Sequence, residues 1–244
     1  MSNSPDTLYG RVFHESRDVE TRLMAEKILK ALTENLGPFR KVLDVGCGVG
    51  TFLRAALAEG AEVIKGIDGD WVESRMLVIP SDCFKGADLN NEFPKIEQSF
   101  DLVICLEVAE HLHESRAEDF ISWLTQCSPV ILFSAAVPGQ GGIGHLNEKL
   151  QSYWASIFSK FGFSAYDIIR PRIWGDNAIH FWYRQNILVY ARANTFSVIC
   201  SQAMPSLDVV HPELYLSKLQ QKRTFSSRVL GWFLRWITDR KSHD

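Results

Sequence analysis

The spacing of apolar residues changes period several times along the chain, and each change marks an element. From Ser16 to Leu36, Val19, Leu23, Ile28, Leu29 and Leu32 recur on one side of a 3.6-residue period. That predicts an amphipathic helix, stopped by Gly37-Pro38. Val42, Leu43 and Val45 then form a short strand interrupted by one acid, Asp44. Thr51 to Ala58 returns to helical spacing, and Glu62 to Ile67 reads as a second strand ending at Asp68. Two shorter stretches follow, Met76–Pro80 and Phe84–Leu89. Phe100 to Leu106 is the clearest strand, and a polar helix from Glu114 to Leu124 leads to another strand over Pro129–Ser134. A helix over Leu150–Phe161 ends at Gly162, and strands over Ala165–Ile169 and Asn186–Ala191 complete the series. Strands alternating with helices predict a parallel sheet. The last two strands, with only a loop between them, must pair antiparallel.

With 244 residues, the chain is one large domain or one domain with additions. An apolar share of 46% is ample for a core. A net charge of −3 argues against general nucleic-acid affinity and predicts no DNA partner. The cysteines Cys47, Cys83, Cys105, Cys127 and Cys200 are scattered, with no C-x-x-C pair, so free thiols in a reducing compartment are expected. The first residues lack a basic, apolar leader and no apolar run is long enough to span a membrane, so a cytoplasmic location is expected. Residues 1–10 read as a loose lead-in.

The stretch Lys41-Val-Leu-Asp-Val-Gly-Cys-Gly-Val-Gly-Thr51 carries the first chemistry. A strand, a glycine turn and the start of a helix form a ligand cradle, because glycine admits close backbone approach and the first helical N–H groups lack partners. The dinucleotide fingerprint G-x-G-x-x-G does not fit: the third glycine, Gly50, comes one residue early, and Thr51 stands where glycine is required. An NAD oxidoreductase is therefore disfavoured. Asp68 lies about 20 residues beyond the first glycine, a spacing at which a carboxylate takes the ribose hydroxyls of an adenosine nucleoside.

The pattern Asp44-x-Gly46-x-Gly48-x-Gly50 resembles motif I of the class I S-adenosylmethionine-dependent methyltransferases, and the resemblance extends over residues 10–195. It implies a Rossmann-like α/β fold: a seven-stranded, mostly parallel sheet with an antiparallel last strand and helices on both faces. It also implies S-adenosylmethionine as cofactor. Asp44 would face its methionine end, with Gly46, Cys47, Gly48 and Gly50 beneath. Asp68 and Gly69 would take the ribose. Asp88 would accept from the adenine amino group, and Leu89 or Trp71 would flank the ring. Leu106 and Glu107, at the exit of the fourth strand, would border the reacting methyl group. Phe133-Ser-Ala-Ala-Val-Pro-Gly-Gln-Gly-Gly142, His145-Leu-Asn-Glu148 and Trp182-Tyr-Arg-Gln-Asn186 are similar to marks of a bacterial group of class I methyltransferases, from which no shared substrate follows.

Methyl transfer from a sulfonium is an in-line displacement, so alignment and exclusion of water dominate. A hydroxyl or amine nucleophile also needs a proton acceptor. His145, in the glycine-rich loop after the fifth strand, is the preferred base, and His111 is expected to brace the turn after the fourth strand. Glu107-x-x-Glu110-His111 is similar to the E-x-x-E-H of ubiquinone-pathway and small-RNA 2′-O-methyltransferases, some of which bind a divalent ion there. A comparable site would need His145 brought across, and the leading reading assigns no metal. Arg170, Arg172, Trp174, His180, Phe181, Trp182, Tyr183 and Arg184 suit a sugar, a phosphate-bearing carrier or an aromatic ring, or alternatively a small core under a loop.

The expected function is therefore transfer of a methyl group to an oxygen or nitrogen of a small molecule or saccharide intermediate. The alternatives are metal-assisted RNA 2′-O-methylation and a non-catalytic cofactor-binding partner subunit. Residues 196–244 read as an extension beyond a methyltransferase domain of residues 1–195. Val229, Leu230, Trp232, Phe233, Trp236 and Ile237 share one face of a predicted basic helix over Thr224–Lys241. Such a helix suits either a membrane surface or docking, including formation of a homo-oligomer.

Overall fold

The computed structural model describes residues 11–192, 195 and 206–221, with side chains from 21 onward. The lead-in at 1–10, Cys200 and the basic helix expected over 224–241 lie outside the described residues. The chain divides into two compact units, Met1–Val209 and Val210–Asp244. The described part of the second holds a helix over 212–221. Among the described residues no helix is long and apolar enough to cross a membrane.

In the first unit, α1 (Arg11–Leu36) precedes β1 (Lys41–Val45), α2 (Thr51–Ala58), β2 (Val63–Asp68), β3 (Phe84–Gly86) and β4 (Leu102–Leu106). Then follow α3 (Ala117–Cys127), β5 (Val130–Ser134), α4 (Gln151–Lys160), β6 (Phe163–Tyr166), α5 (Arg170–Ile173), α6 (Phe181–Asn186) and β7 (Leu188–Arg192). The seven strands form one sheet in the order β3-β2-β1-β4-β5-β7-β6. β7 runs antiparallel to β5 and to β6, and the other pairings are parallel. The expected Rossmann-like sheet with its antiparallel last strand is thus observed.

The inner strands are apolar on both faces, as a sheet covered on both sides requires. Val42, Leu102, Ile104, Leu132 and Val189 join one core with Ile28, Leu32 and Leu53 from α1 and α2. Leu43, Val103, Cys105, Ile131 and Tyr190 alternate with them and join the other, with Phe120, Leu124, Trp154 and Phe158 from α3 and α4. The sheet's carboxyl ends therefore project from a rigid three-layer body.

Three expectations need correction. Ile28, Leu29 and Leu32 of α1 are buried as expected, but Leu23 is 48% exposed and Met24 and Ala25 beside it take the inward positions. β6 begins earlier than the sequence indicated, at Phe163. The link from β6 to β7 is not a plain loop but carries α5 and α6.

The arginines of that link are largely structural. Arg170 is 2% exposed. It pairs with Asp167 at 2.7 Å and donates to the carbonyls of Gln185, Ser206 and Leu207. Arg184, also buried, donates to the Trp174 carbonyl, and Arg172 reaches Glu34 and Asn35 on α1. Removing a partner from a buried ion pair costs about 3–5 kcal/mol. Arg170→Ala should destabilise the protein by that order, read as a lower urea midpoint; an unchanged midpoint would return the arginine to the pool of ligand-binding candidates.

Candidate active site

The glycine turn after β1 takes the conformation that its sequence demands. Gly46, Gly48 and Gly50 all have positive φ, at 78°, 52° and 92°. Space adds a second constraint at two of them. A side chain at Gly46 would meet Val108 and one at Gly50 would meet Ile79. Parallel pairing sets Asp44 beside Gly66 and so brings the end of β2 alongside the turn. There the Asp68 carboxylate accepts from the backbone N–H of Gly48 and of Gly69, each at 2.7 Å.

Asp44 is buried, and its Oδ2 has no hydrogen-bond partner among the protein atoms. Burial, with the negative charge of Asp68 added, pushes its carboxyl well above the usual carboxylate range. Cys47 is buried beside it, and burial holds its thiol neutral. The Trp71 ring lies over Gly69 and is 45% exposed. Leu89 is buried, whereas Asp88 is exposed and caps its own turn, accepting from Asn90 N and Asn91 Nδ2.

At the exit of β4, Leu106 is buried and pairs in register with Ser134. Glu107 follows with φ 56°, the one positive φ at a non-glycine residue among those described. A non-glycine residue there stores about 1–3 kcal/mol of strain and persists only where surroundings enforce it. The enforcement is visible. Glu107 N donates to Ser134, Oε2 accepts from Gln140 Nε2 at 2.8 Å, and Oε1 accepts from Asn186 Nδ2 at 3.1 Å. Asn186 Nδ2 also reaches Gln140 Oε1, and Gln185 Nε2 donates to Asn186 Oδ1 at 2.8 Å. Burial still raises the Glu107 carboxyl, against the pull of Asn186, Ser134 and Gln140.

Glu110 is fully buried; the backbone N–H groups of Glu110 itself and of Ala136 lie near its carboxylate, but neither oxygen has a partner in good hydrogen-bond geometry. Burial, and then the charge of Glu107, drive its carboxyl well upward. Its own carbonyl accepts from Leu146 N and Asn147 N, which ties the glycine-rich loop to the β4 exit. That tie brings His145 over: its ring meets His111 edge to face at 4.9 Å. One ligand atom each of Glu110, His111 and His145 lies within 4.8 Å of the others, an arrangement able to hold a metal ion. The crossing that the E-x-x-E-H resemblance required is therefore present in the structure.

Sequence reasoning missed Gln140, Asn186 and Glu148 as site residues, although all three lie in motifs noted for their resemblance. The usable signal was polarity: Gln185-Asn186 directly precedes an apolar central strand, where a buried amide needs a partner.

A methyltransferase-domain profile matches residues 13–138, more than half of the chain. This chain belongs to the methyltransferase-domain family. The chain is 32% identical over 85 residues to a ubiquinone biosynthesis O-methyltransferase of Neisseria meningitidis serogroup C, a match spanning 32% of this chain and 36% of that relative. It is thus similar to only about a third of the length of that curated relative. Among solved structures, magnesium protoporphyrin IX methyltransferase of Synechocystis PCC 6803 superposes with a TM-score of 0.52 at 20% identity, covering 77% of this chain and 92% of that one. An O-methyltransferase family protein of Burkholderia thailandensis gives 0.53 at 14% identity, covering 75% and 59%. At such identities the structural likeness concerns the fold.

A carboxyl group whose pKa is raised by folding stabilises the native state below its ordinary value, near pH 4, and that contribution is lost as pH rises through the raised value. For the cofactor-free methyltransferase, Asp44→Asn should therefore raise the melting temperature at neutral pH and flatten its fall above about pH 4. A gain of 1 kcal/mol corresponds to about 2–4 °C in a chain of this size. Melting curves from pH 4 to 8 test it; a parent and variant with parallel profiles would show that folding does not raise the Asp44 carboxyl.

Proposed function

We propose that this protein transfers the methyl group of S-adenosylmethionine to an oxygen or nitrogen nucleophile of a small molecule or saccharide intermediate, with His145 accepting the nucleophile's proton. The observation that carries the reading is the arrival of His145 from the loop after β5 at the exit of β4, against His111. The cradle fits the cofactor. The unpartnered Asp44 Oδ2 and the raised Asp44 and Glu107 carboxyls suit a ligand that brings positive charge and hydrogen-bond donors. When bound, S-adenosylmethionine supplies an electrophilic methyl group.

In this reading Gly46, Cys47, Gly48 and Gly50 form the floor under the methionine end, and Asp44 faces it. Asp68 and Gly69 hold the ribose. Trp71 and Leu89 border the adenine, and Asp88 accepts from its amino group while remaining hydrogen-bonded to its own turn. Leu106 and Glu107 wall the methyl-transfer side, and His111 packs against the base. Ile143 and Leu146 flank His145 and are 53% and 58% exposed, which suits an acceptor with an apolar body better than a nucleic-acid backbone.

A second reading rests on the Glu110–His111–His145 cluster. Two imidazoles and a buried carboxylate suit manganese or zinc, and with more oxygen ligands magnesium. The two unpartnered Glu110 oxygens fit such an ion, which would polarise an acceptor hydroxyl. His145 would then be a ligand and not the base. The basic stripe expected over 224–241 remains a proposal for peripheral membrane contact or self-association. Liposome flotation of the full chain against one ending at Lys218 tests the membrane arm.

Three measurements examine these readings. Asp68→Ala should weaken S-adenosylmethionine binding by about 1–3 kcal/mol in calorimetry. His145→Ala should lower turnover by about 10²–10⁴-fold with cofactor affinity nearly unchanged. Activity that survives exhaustive chelation favours the base; activity abolished by a chelator and restored by manganese favours the ion. Undiminished turnover in His145→Ala would remove the imidazole from both.

A further inference from the structure

One side chain that no part of the reaction has used braces the loop between β5 and α4. Glu148 Oε2 accepts from Gly139 N, and Oε1 accepts from Gly141 N, both at 2.7 Å. Oε1 also lies 2.9 Å from His145 Nδ1. Backbone bonds from Leu146, Asn147 and Lys149 to the Glu110 and Ala136 carbonyls fix the far end of the loop. The carboxylate supplies the acceptors for the Gly139–Gly141 turn. With a backbone N–H aimed at each of its oxygens, Glu148 acts as an acceptor.

An acceptor-only partner at Nδ1 decides which ring nitrogen carries the proton. A neutral imidazole facing a carboxylate through Nδ1 must be protonated there, which leaves the lone pair on Nε2. A second observation concerns the seat of the ring. A Cβ added at Gly142 would collide with His145 Nε2 and its neighbouring ring carbons, so the imidazole packs edge-on against the loop backbone and a glycine is what admits it there.

We infer that Glu148 is the positioning residue of His145: it holds the imidazole as the Nδ1–H tautomer and presents Nε2 to the methyl acceptor. This rests on the reading of His145 as the working imidazole. Glu148→Gln is the informative variant. Its amide nitrogen is a donor, so it can no longer accept from Gly139, Gly141 and His145 together, while size is kept.

The test pairs spectroscopy with kinetics on the full chain. Long-range proton–nitrogen correlation spectra of histidine-labelled protein, in mildly alkaline buffer, should show Nδ1 protonated and Nε2 bare for His145, assigned by its loss in His145→Ala. Glu148→Gln should lose that preference. Its kcat should fall about 10–100-fold, with an unchanged KM for S-adenosylmethionine and an unchanged melting profile outside the loop. Glu148→Asp, which keeps the charge, should recover part of the rate. An Nε2–H tautomer in the parent protein, or a Glu148→Gln variant with the parent's tautomer and kcat, would overturn the inference. The tautomer is read without substrate, so undiminished turnover in His145→Ala would count against the base assignment while the spectra judge Glu148 separately.

Discussion

Three acids crowd the carboxyl ends of β1 and β4: Asp44 and Glu110 are buried, Glu107 is half-buried, and loss of solvent is the largest influence on each. No basic side chain figures among the causes of their shifts. Burying a carboxylate without compensation is costly, and such groups respond by holding a proton or by waiting for a partner. The rest of the structure is arranged around that constraint. The two apolar layers make the sheet rigid enough to keep the acids where they are. The glycine turn removes side chains that would otherwise fill the cradle. An amide network holds Glu107 in a backbone conformation it would not choose alone. Stability given up in this way is what lets a cationic or donor-rich ligand bind with a gain on arrival.

Most of the fold was legible in the sequence because its signals are local. Continuous apolar runs marked the inner strands, and period-3.6 stretches marked α1 and α4. The misses are also physical. Leu23 was assigned inward from spacing alone, but the line of contact between α1 and α2 is set by packing between elements, which no local window contains. The short helices α5 and α6 were hidden because their residues, rich in arginine and aromatic side chains, read equally well as a binding loop. The burial of Arg170 in α5 depends on the carbonyls of Ser206 and Leu207, far away in sequence.

The candidate site divides along the same line. The cradle of Asp44, Gly46, Gly48, Gly50 and Asp68 could be read from one stretch and one spacing, because the turn is made from consecutive residues. The acceptor side could not. Gln140 and Glu148 come from the loop after β5, Asn186 from the end of α6, and Glu107 and Glu110 from the exit of β4. Sequence patterns recorded each motif, but only parallel pairing of β4 with β5, and antiparallel pairing of β5 with β7, places their ends together.

That convergence couples two tasks that are usually treated apart. The loop after β5 supplies His145 through Glu148 and reaches Glu107 through Gln140, a residue between the two glycines whose N–H groups Glu148 holds. A displacement of the loop would therefore remove the imidazole and release the strained carboxylate in one motion. Asn186 opposes it from the other side, because the amide that binds Glu107 also binds Gln140, and Gln185 braces Asn186 in turn. Buried networks of this kind are stable only when nearly every member is satisfied. The loop is accordingly the element through which His145 and the strained Glu107 are held in one network.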